Sequence, residues 1–247
     1  MARYQVILAY DGSGFQGSQR QSNIRTVQGE LEKSLHKLGW SDPSVIMAGR
    51  TDTGTHATGQ VVAFDMDWSY GDEQLLKALN SSLPPDIAIQ SLCVASAGFH
   101  PRFDAQSRRY RYRLFCEPIR DPLREKFAWR VWPGIQEDAL KQTAEIFLGT
   151  HDFAAFGSPT TLKGTTIRTV TKTEWNKKPD GEWQFEVQAD AFLYRMARRL
   201  VFVQVAVAQG KCSGEKVRSA LMGQGKLPSG LAPAHGLTLV EVTYGSH

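Results

Sequence analysis

The sequence predicts an α+β protein made of two ferredoxin-like halves with mainly antiparallel sheets. Strand-like and helix-like patterns follow one another as β-α-β-β-α-β, and that order nearly repeats in the second half. Strands and helices do not alternate strictly, as a doubly wound parallel sheet would require. A chain of 247 residues with 41% hydrophobic content also has room for one large core or two of ordinary size. Globular domains usually run to roughly 100–200 residues.

Arg3 to Tyr10 is an apolar strand-like run closed by Asp11-Gly12. Val27, Leu31, Leu35 and Leu38 then recur at helical spacing after a polar loop. Val45 to Ala48 and Gln60 to Met66 read as strands on either side of a Gly49 to Gly59 loop. Gly71 to Leu83 reads as a helix through Leu75, Leu76, Leu79 and Leu83, and Ile87 to Ala95 as the next strand. The second half opens with Arg108 to Cys116, a strand with arginines on alternate positions, and continues with a helix over Glu137 to Leu148. Thr169 to Lys177 and Trp183 to Ala189 are strand-like and separated by Lys178-Pro179-Asp180-Gly181, a strong turn signal. Phe192 to Ala208 is the longest candidate helix, and the helical region around it has room for a second piece. Gly236 to Tyr244 closes the chain as a strand. The expected division is 1–105 and 106–247, with no linker between the halves, so they are expected to pack closely around a shared cleft.

The net charge of +4 and the pI near 9.0 favour a polyanionic partner such as nucleic acid. Cys93, Cys116 and Cys212 are scattered and show no metal-ligand or redox spacing, as expected of reduced thiols in a cytoplasmic protein. The start, Met1-Ala2-Arg3-Tyr4-Gln5-Val6, is too polar for a signal peptide, and no later run is long and apolar enough to span a bilayer. No membrane association is expected.

Thr51-Asp52-Thr53-Gly54-Thr55-His56 is a short polar loop between strands, where a rigid scaffold commonly carries a chemical group. A turn or capping role for Asp52 is the competing reading. If the strand continues through this stretch, Arg50 and Asp52 share a face, and the guanidinium keeps the carboxylate ionised.

Gly49-Arg50-Thr51-Asp52-Thr53-Gly54-Thr55-His56-Ala57, followed by Gly59-Gln60-Val61, resembles the active-site motif of the TruA-type tRNA pseudouridine synthases. Further motifs resemble that family in order along nearly the whole chain. They are Tyr10-Asp11-Gly12 with Phe15, Gly17 and Gln19; Phe99-His100-Pro101-Arg102-Phe103 with Arg109-Tyr110-Arg111-Tyr112; Phe192-Leu193-Tyr194-Arg195-Met196-Ala197-Arg198; and Ala234-His235-Gly236-Leu237. Ser18 stands where the family usually has tryptophan, Thr53 and Thr55 replace the commoner alanine and valine, and Phe202 stands near a usual glycine.

The resemblance implies an isomerase that acts on uridines 38, 39 and 40 in the anticodon stem-loop of tRNA, as a homodimer needing no metal and no organic cofactor. It implies that Asp52 is the catalytic carboxylate, with Arg198 as its partner and Arg50 assisting base entry and phosphate placement. Tyr110 would stack on the flipped uracil and take part in proton transfer at C5, while Leu237 would press on the other face. These residues are expected to meet in a basic catalytic cleft flanked by the two halves. The reaction breaks the bond from ribose C1′ to uracil N1, turns the base and rejoins it through C5. One ionised carboxylate can serve it, as nucleophile or as a base removing a ribose proton.

The target base must leave its stack, and arginines interleaved with tyrosines over Arg108 to Arg113 suit RNA backbone and unstacked bases. Arg109, Arg195, Gln19 and Arg20 are further RNA-contact candidates. Arg195, Arg198 and Arg199 fall on one side of the expected helix. Ordinary structural readings stand beside these: a half-buried strand aromatic for Tyr110, core for Leu237 and a solvated basic face for the arginines.

Three rival readings compete with this one. Gly12-Ser13-Gly14-Phe15-Gln16-Gly17 has dinucleotide-binding spacing, but the helix should then start among the glycines, whereas here the helical pattern begins near Val27. A non-catalytic RNA-binding module is opposed by the presence of Asp52. A metal-dependent hydrolase using Asp52, His56 and His100 lacks any paired ligand spacing.

Overall fold

The structure is a computed structural model that describes residues 1–161 and 164–245. The strands and α-helices of the first part are β1 (Ala2–Tyr10), α1 (Val27–Lys37), β2 (Ile46–Met47), β3 (His56–Met66), α2 (Asp72–Ser82) and β4 (Ile87–Val94). They are followed by β5 (Ala105–Phe115), β6 (Trp129–Arg130), α3 (Glu137–Glu145), β7 (Gly149–Asp152), β8 (Ile167–Lys177) and β9 (Trp183–Ala189). The chain closes with α4 (Met196–Ala208), α5 (Gly214–Leu221) and β10 (Leu237–Tyr244). It divides into one compact unit of Met1–Gln106 with Thr238–His247 and a second of Ser107–Leu237. The fold is α+β with ferredoxin-like halves and mainly antiparallel pairing.

In the first unit the strands lie in the order β4-β1-β3, with β2 and β10 both on β3. β1 shows why its sequence forms a half-buried strand: Tyr4, Val6, Leu8 and Tyr10 are buried and the residues between them less so. α1 starts at Thr26, whose hydroxyl accepts the Gly29 N–H at 3.2 Å, and it buries Val27, Leu31 and Leu35 along one stripe. It ends where Gly39 takes a positive φ of 93°. β10 runs parallel to the start of β3, with Thr238 opposite His56 and Leu239 opposite Ala57.

The second unit carries β5-β9-β8-β7, each neighbour antiparallel, with β6 parallel to the end of β5. β9 alternates Trp183, Phe185, Val187 and Ala189 into the core. α4 buries Met196, Leu200, Val201 and Val203. Its one polar core residue, Gln204, is satisfied by accepting the Trp175 indole N–H at 2.7 Å.

The long helix differs from its sequence expectation. It begins at Met196 rather than Phe192, because Tyr194 forms an isolated bridge to Ser158 and Arg195 then turns the chain at a φ of 64°. The Tyr194 N–H donates to the Ser158 carbonyl at 2.9 Å, and the Met196 N–H closes a turn onto the Leu193 carbonyl at 3.1 Å. The second helical piece is α5, capped by the Ser213 hydroxyl accepting from Lys216 N–H. The helix expected over Glu137 to Leu148 ends earlier, at Glu145.

Candidate active site

Asp52 does not lie on a strand. The stretch from Gly49 to Thr55 is irregular, with a turn at Thr53-Gly54 closed by the Thr55 N–H donating to the Asp52 carbonyl at 3.0 Å. The strand geometry expected to place Arg50 and Asp52 on one face is therefore absent. Asp52 is half-buried at the head of this turn and Arg50 is exposed.

The residue before Asp52 is fastened on three sides. Thr51 is buried, and its N–H donates to the Ser18 hydroxyl at 2.8 Å. Its carbonyl accepts the Ser18 N–H at 3.1 Å. Its hydroxyl pairs with the Tyr10 phenol at 2.8 Å. Ser18 is fully buried and its own carbonyl accepts the Gln28 N–H at 2.9 Å, tying the arrangement to the first turn of α1. Burial pushes the Tyr10 phenol up to about 12, although its bond to Thr51 pulls the other way, so it stays protonated across the physiological range.

On the far side of the turn, the Gly12 N–H donates to His56 Nδ1 at 3.0 Å, and Asp11 Oδ1 lies 3.2 Å from the same nitrogen. Gly12 is in contact with the backbone of Thr55, and a Cβ there would collide with the Thr55 carbonyl. Gly12 to Gly14 form a 3-10 turn rather than the start of an α-helix. The glycines thus bring loop backbone against the Asp52 turn, and the dinucleotide reading falls on context. The Thr55 hydroxyl is buried with no hydrogen-bond partner among the described residues.

Of the loop candidates, Gln19 is exposed. Arg20 reaches the buried carboxylate of Glu32 at 2.7 Å and the Pro43 carbonyl at 2.9 Å. His100 Nδ1 accepts the N–H groups of Arg102 and Phe103, both at 3.2 Å, so it and His56 each accept backbone N–H groups through Nδ1.

The second unit carries the other expected residues. Tyr110 is buried, with its ring 4.8 Å from Phe192 in an edge-to-face arrangement. The arginines beside it meet acids on β9 and just before it: Arg111 donates twice to Glu186 Oε1, at 3.1 and 2.7 Å. Arg109 reaches Glu186 Oε2 at 3.2 Å, and Arg113 holds Glu182 through two bonds of 2.9 and 2.8 Å. Desolvation alone would raise the Glu186 carboxyl, but Arg111 and Lys172 outweigh it and bring it down to about 2.

Arg198 sits in the first turn of α4, where its Nε donates to the Ala232 carbonyl at 2.8 Å. Arg199 donates to the Gly230 carbonyl at 2.8 Å. Both therefore hold the segment that leads to Leu237, whereas Arg195 is exposed, with its guanidinium 4.7 Å from the Tyr194 ring centre. In that segment Gly236 lies against Tyr112; a Cβ there would stand 2.6 Å from the ring and 2.9 Å from the Arg113 carbonyl. The Tyr112 hydroxyl donates to the Pro233 carbonyl at 2.8 Å. Leu237 is buried directly after this contact. Burial lowers the His235 imidazole below its usual range, and Arg198 adds to that effect against Glu125.

Ser18 and Tyr10 are the supporting residues that sequence reading did not assign. Ser18 was visible only as a departure from the tryptophan of the resembled family, and its partner Thr51 lies 33 positions away.

The first unit holds a half-buried carboxylate in a backbone-fastened turn on an α+β scaffold, and the second carries arginines along β5. Residues 6–104 and 143–245 match the family model described as tRNA pseudouridine synthase. Among the relatives, tRNA pseudouridine synthase A of Brevibacillus brevis is 38% identical over 245 residues, covering 99% of this chain and 100% of the relative. The proteins of the same name from Shouchella clausii and Bacillus subtilis are each 36% identical. They cover 99% and 98% of this chain and 94% and 99% of their own lengths. The chain belongs to the tRNA pseudouridine synthase family, isomerases that act on tRNA. No helix among the described residues is long and apolar enough to cross a membrane.

Proposed function

We propose that this chain isomerises uridine to pseudouridine in the anticodon stem-loop of tRNA, at positions 38, 39 and 40, with Asp52 as its catalytic carboxylate. It works in the cytoplasm as a homodimer, without metal or organic cofactor. The observation that carries the reading is the way Asp52 is presented. Its neighbours Thr51 and Thr55 are fixed by buried hydrogen bonds and close backbone packing, while its own residue stays partly accessible. A reacting group needs that combination, because misplacement by about 1 Å can cost roughly a hundredfold in rate.

Asp52 acts either as the nucleophile at the sugar or base, or as the base that removes a ribose proton. Tyr110 stacks on the flipped uracil, Leu237 covers its other face, Arg198 is the cation for the carboxylate, and Arg50 guides base and phosphate. Gln19, Arg20, Arg109 and Arg195 contact the RNA. The exposure of Arg50 and Arg195 supports direct phosphate contact by them, and Arg20 and Arg109 would reach the RNA from their ion pairs.

The test is to incubate the protein with unmodified tRNA transcripts and map pseudouridine by carbodiimide-dependent reverse-transcription stops. Wild type should give stops in the anticodon stem-loop, Asp52→Asn none, and Tyr110→Phe a reduced signal. Stops confined to another arm contradict the substrate assignment, and an active Asp52→Asn contradicts the assignment of the carboxylate.

A further inference from the structure

The segment after β4 presents an aromatic ring in a way that the proposed chemistry does not use. Phe103 is 75% exposed, although its loop is fixed. The His100 N–H donates to Asp104 Oδ2 at 2.8 Å, and the Asp104 N–H returns to the His100 carbonyl at 3.0 Å. His100 Nδ1 accepts the Arg102 and Phe103 N–H groups, and the buried Pro101 is pinned through its carbonyl by the Tyr244 hydroxyl at 2.8 Å. The imidazole of His100 stacks on the Phe103 ring with centroids 4.2 Å apart and planes 25° from parallel. The guanidinium of the exposed Arg102 lies 5.9 Å from the same ring.

A single exposed apolar side chain is ordinary on a protein surface, and Ile119 and Leu123 are as exposed as Phe103. What sets Phe103 apart is that its ring is oriented in advance, backed by a second aromatic ring and accompanied by a cation. A planar ring held this way extends its stack by one more flat group, and nucleobases suit it because every base has a π-face. Arg102 supplies charge for the phosphate that accompanies such a base.

We propose that His100 and Phe103 form a stacking platform for an unpaired nucleotide of the tRNA substrate, with Arg102 on its phosphate. The inference rests on the tRNA reading above and adds a second contact to it, distinct from the uridine that reacts. It explains why a ring is kept in water on a loop braced by five hydrogen bonds.

The experiment is filter binding of an unmodified tRNA transcript to wild type, Phe103→Ala, Phe103→Leu and Phe103→Trp, with pseudouridine formation by wild type measured in parallel. Stacking of one base predicts that Ala weakens binding about tenfold. Trp should bind within about twofold of wild type. Leu is the discriminating variant, since it keeps apolar volume and has no π-face, and it should bind like Ala. Because the side chain is exposed, all three should keep the wild-type urea midpoint. Equal binding by all four proteins, or Leu binding like wild type, overturns the platform. So does a Phe103→Ala protein whose sedimentation shows dissociated copies, because the ring then belongs to an interface between chains. Wild type that binds tRNA without isomerising it refutes the proposed function while leaving the platform readable. Wild type that binds no tRNA refutes both.

Discussion

Ser18→Ala isolates the fastening of the Asp52 turn. The substitution removes one oxygen from a fully buried site and leaves the Thr51 N–H buried without its acceptor, while the two backbone bonds of Ser18 to Thr51 and Gln28 remain. An unsatisfied buried donor costs about 1–3 kcal/mol. With a urea slope of about 2–3 kcal/mol per molar, a cost near 2 kcal/mol lowers the midpoint by roughly 0.7–1 M. Tyr10→Phe removes the other side-chain bond to Thr51 and should cost about 1 kcal/mol. Because both act on one residue, the double variant should depart from additivity. Turnover carries the functional half of the argument: Ser18→Ala should lower kcat about tenfold under conditions where it remains folded, with KM little changed, because the turn and not the tRNA surface is disturbed. A midpoint within about 0.2 M of wild type would show that the bond contributes nothing to stability. An unchanged kcat would show that Thr51 does not set the position of Asp52.

Two further outcomes follow from the same geometry. Glu186 has a folded-state carboxyl near 2, against an ordinary value of 4.5, so its contribution is complete above about pH 5 and is lost as pH falls toward 2. Between pH 6 and pH 3 wild type should lose about 2 kcal/mol more than Glu186→Gln, read from urea midpoints at each pH, and parallel acid limbs for the two proteins would contradict the ion cluster. Thr55→Val replaces a buried hydroxyl that has no partner among the described residues with a methyl of the same shape and should stabilise by about 1 kcal/mol; destabilisation in thermal unfolding would mean the hydroxyl is satisfied.

Regular elements were legible wherever a local pattern decides them. β1 alternates, α1 carries its stripe and a threonine cap, and both were placed within a residue or two of their observed bounds. Features that depend on distant partners were not. The start of α4 is set by a bridge between Tyr194 and Ser158, 36 positions apart, and no helical periodicity reports it. β7 is only four residues long, and three of them are exposed, so it lacks the hydrophobic signal of a strand. From the sequence, the alternate arginines on β5 show only as a run of positive charge. Their acids become visible only with the pairing register, which sets Arg111 directly opposite Glu186 and leaves Arg109 one diagonal away.

The candidate site divides the same way. The motif around Asp52 is short and contiguous and so shows in the sequence, but what holds the adjoining backbone does not: the Thr51 N–H and carbonyl are both fastened to Ser18. Tryptophan, the usual residue of the resembled family at position 18, has an indole N–H that donates and no side-chain acceptor. It cannot take the Thr51 N–H as the Ser18 hydroxyl does at 2.8 Å. A tryptophan at position 18 would have to leave that donor to another acceptor. Ser18→Trp should therefore disturb the Asp52 turn more than Ser18→Ala, by bulk as well as by the lost acceptor, even though it moves the sequence toward the family pattern.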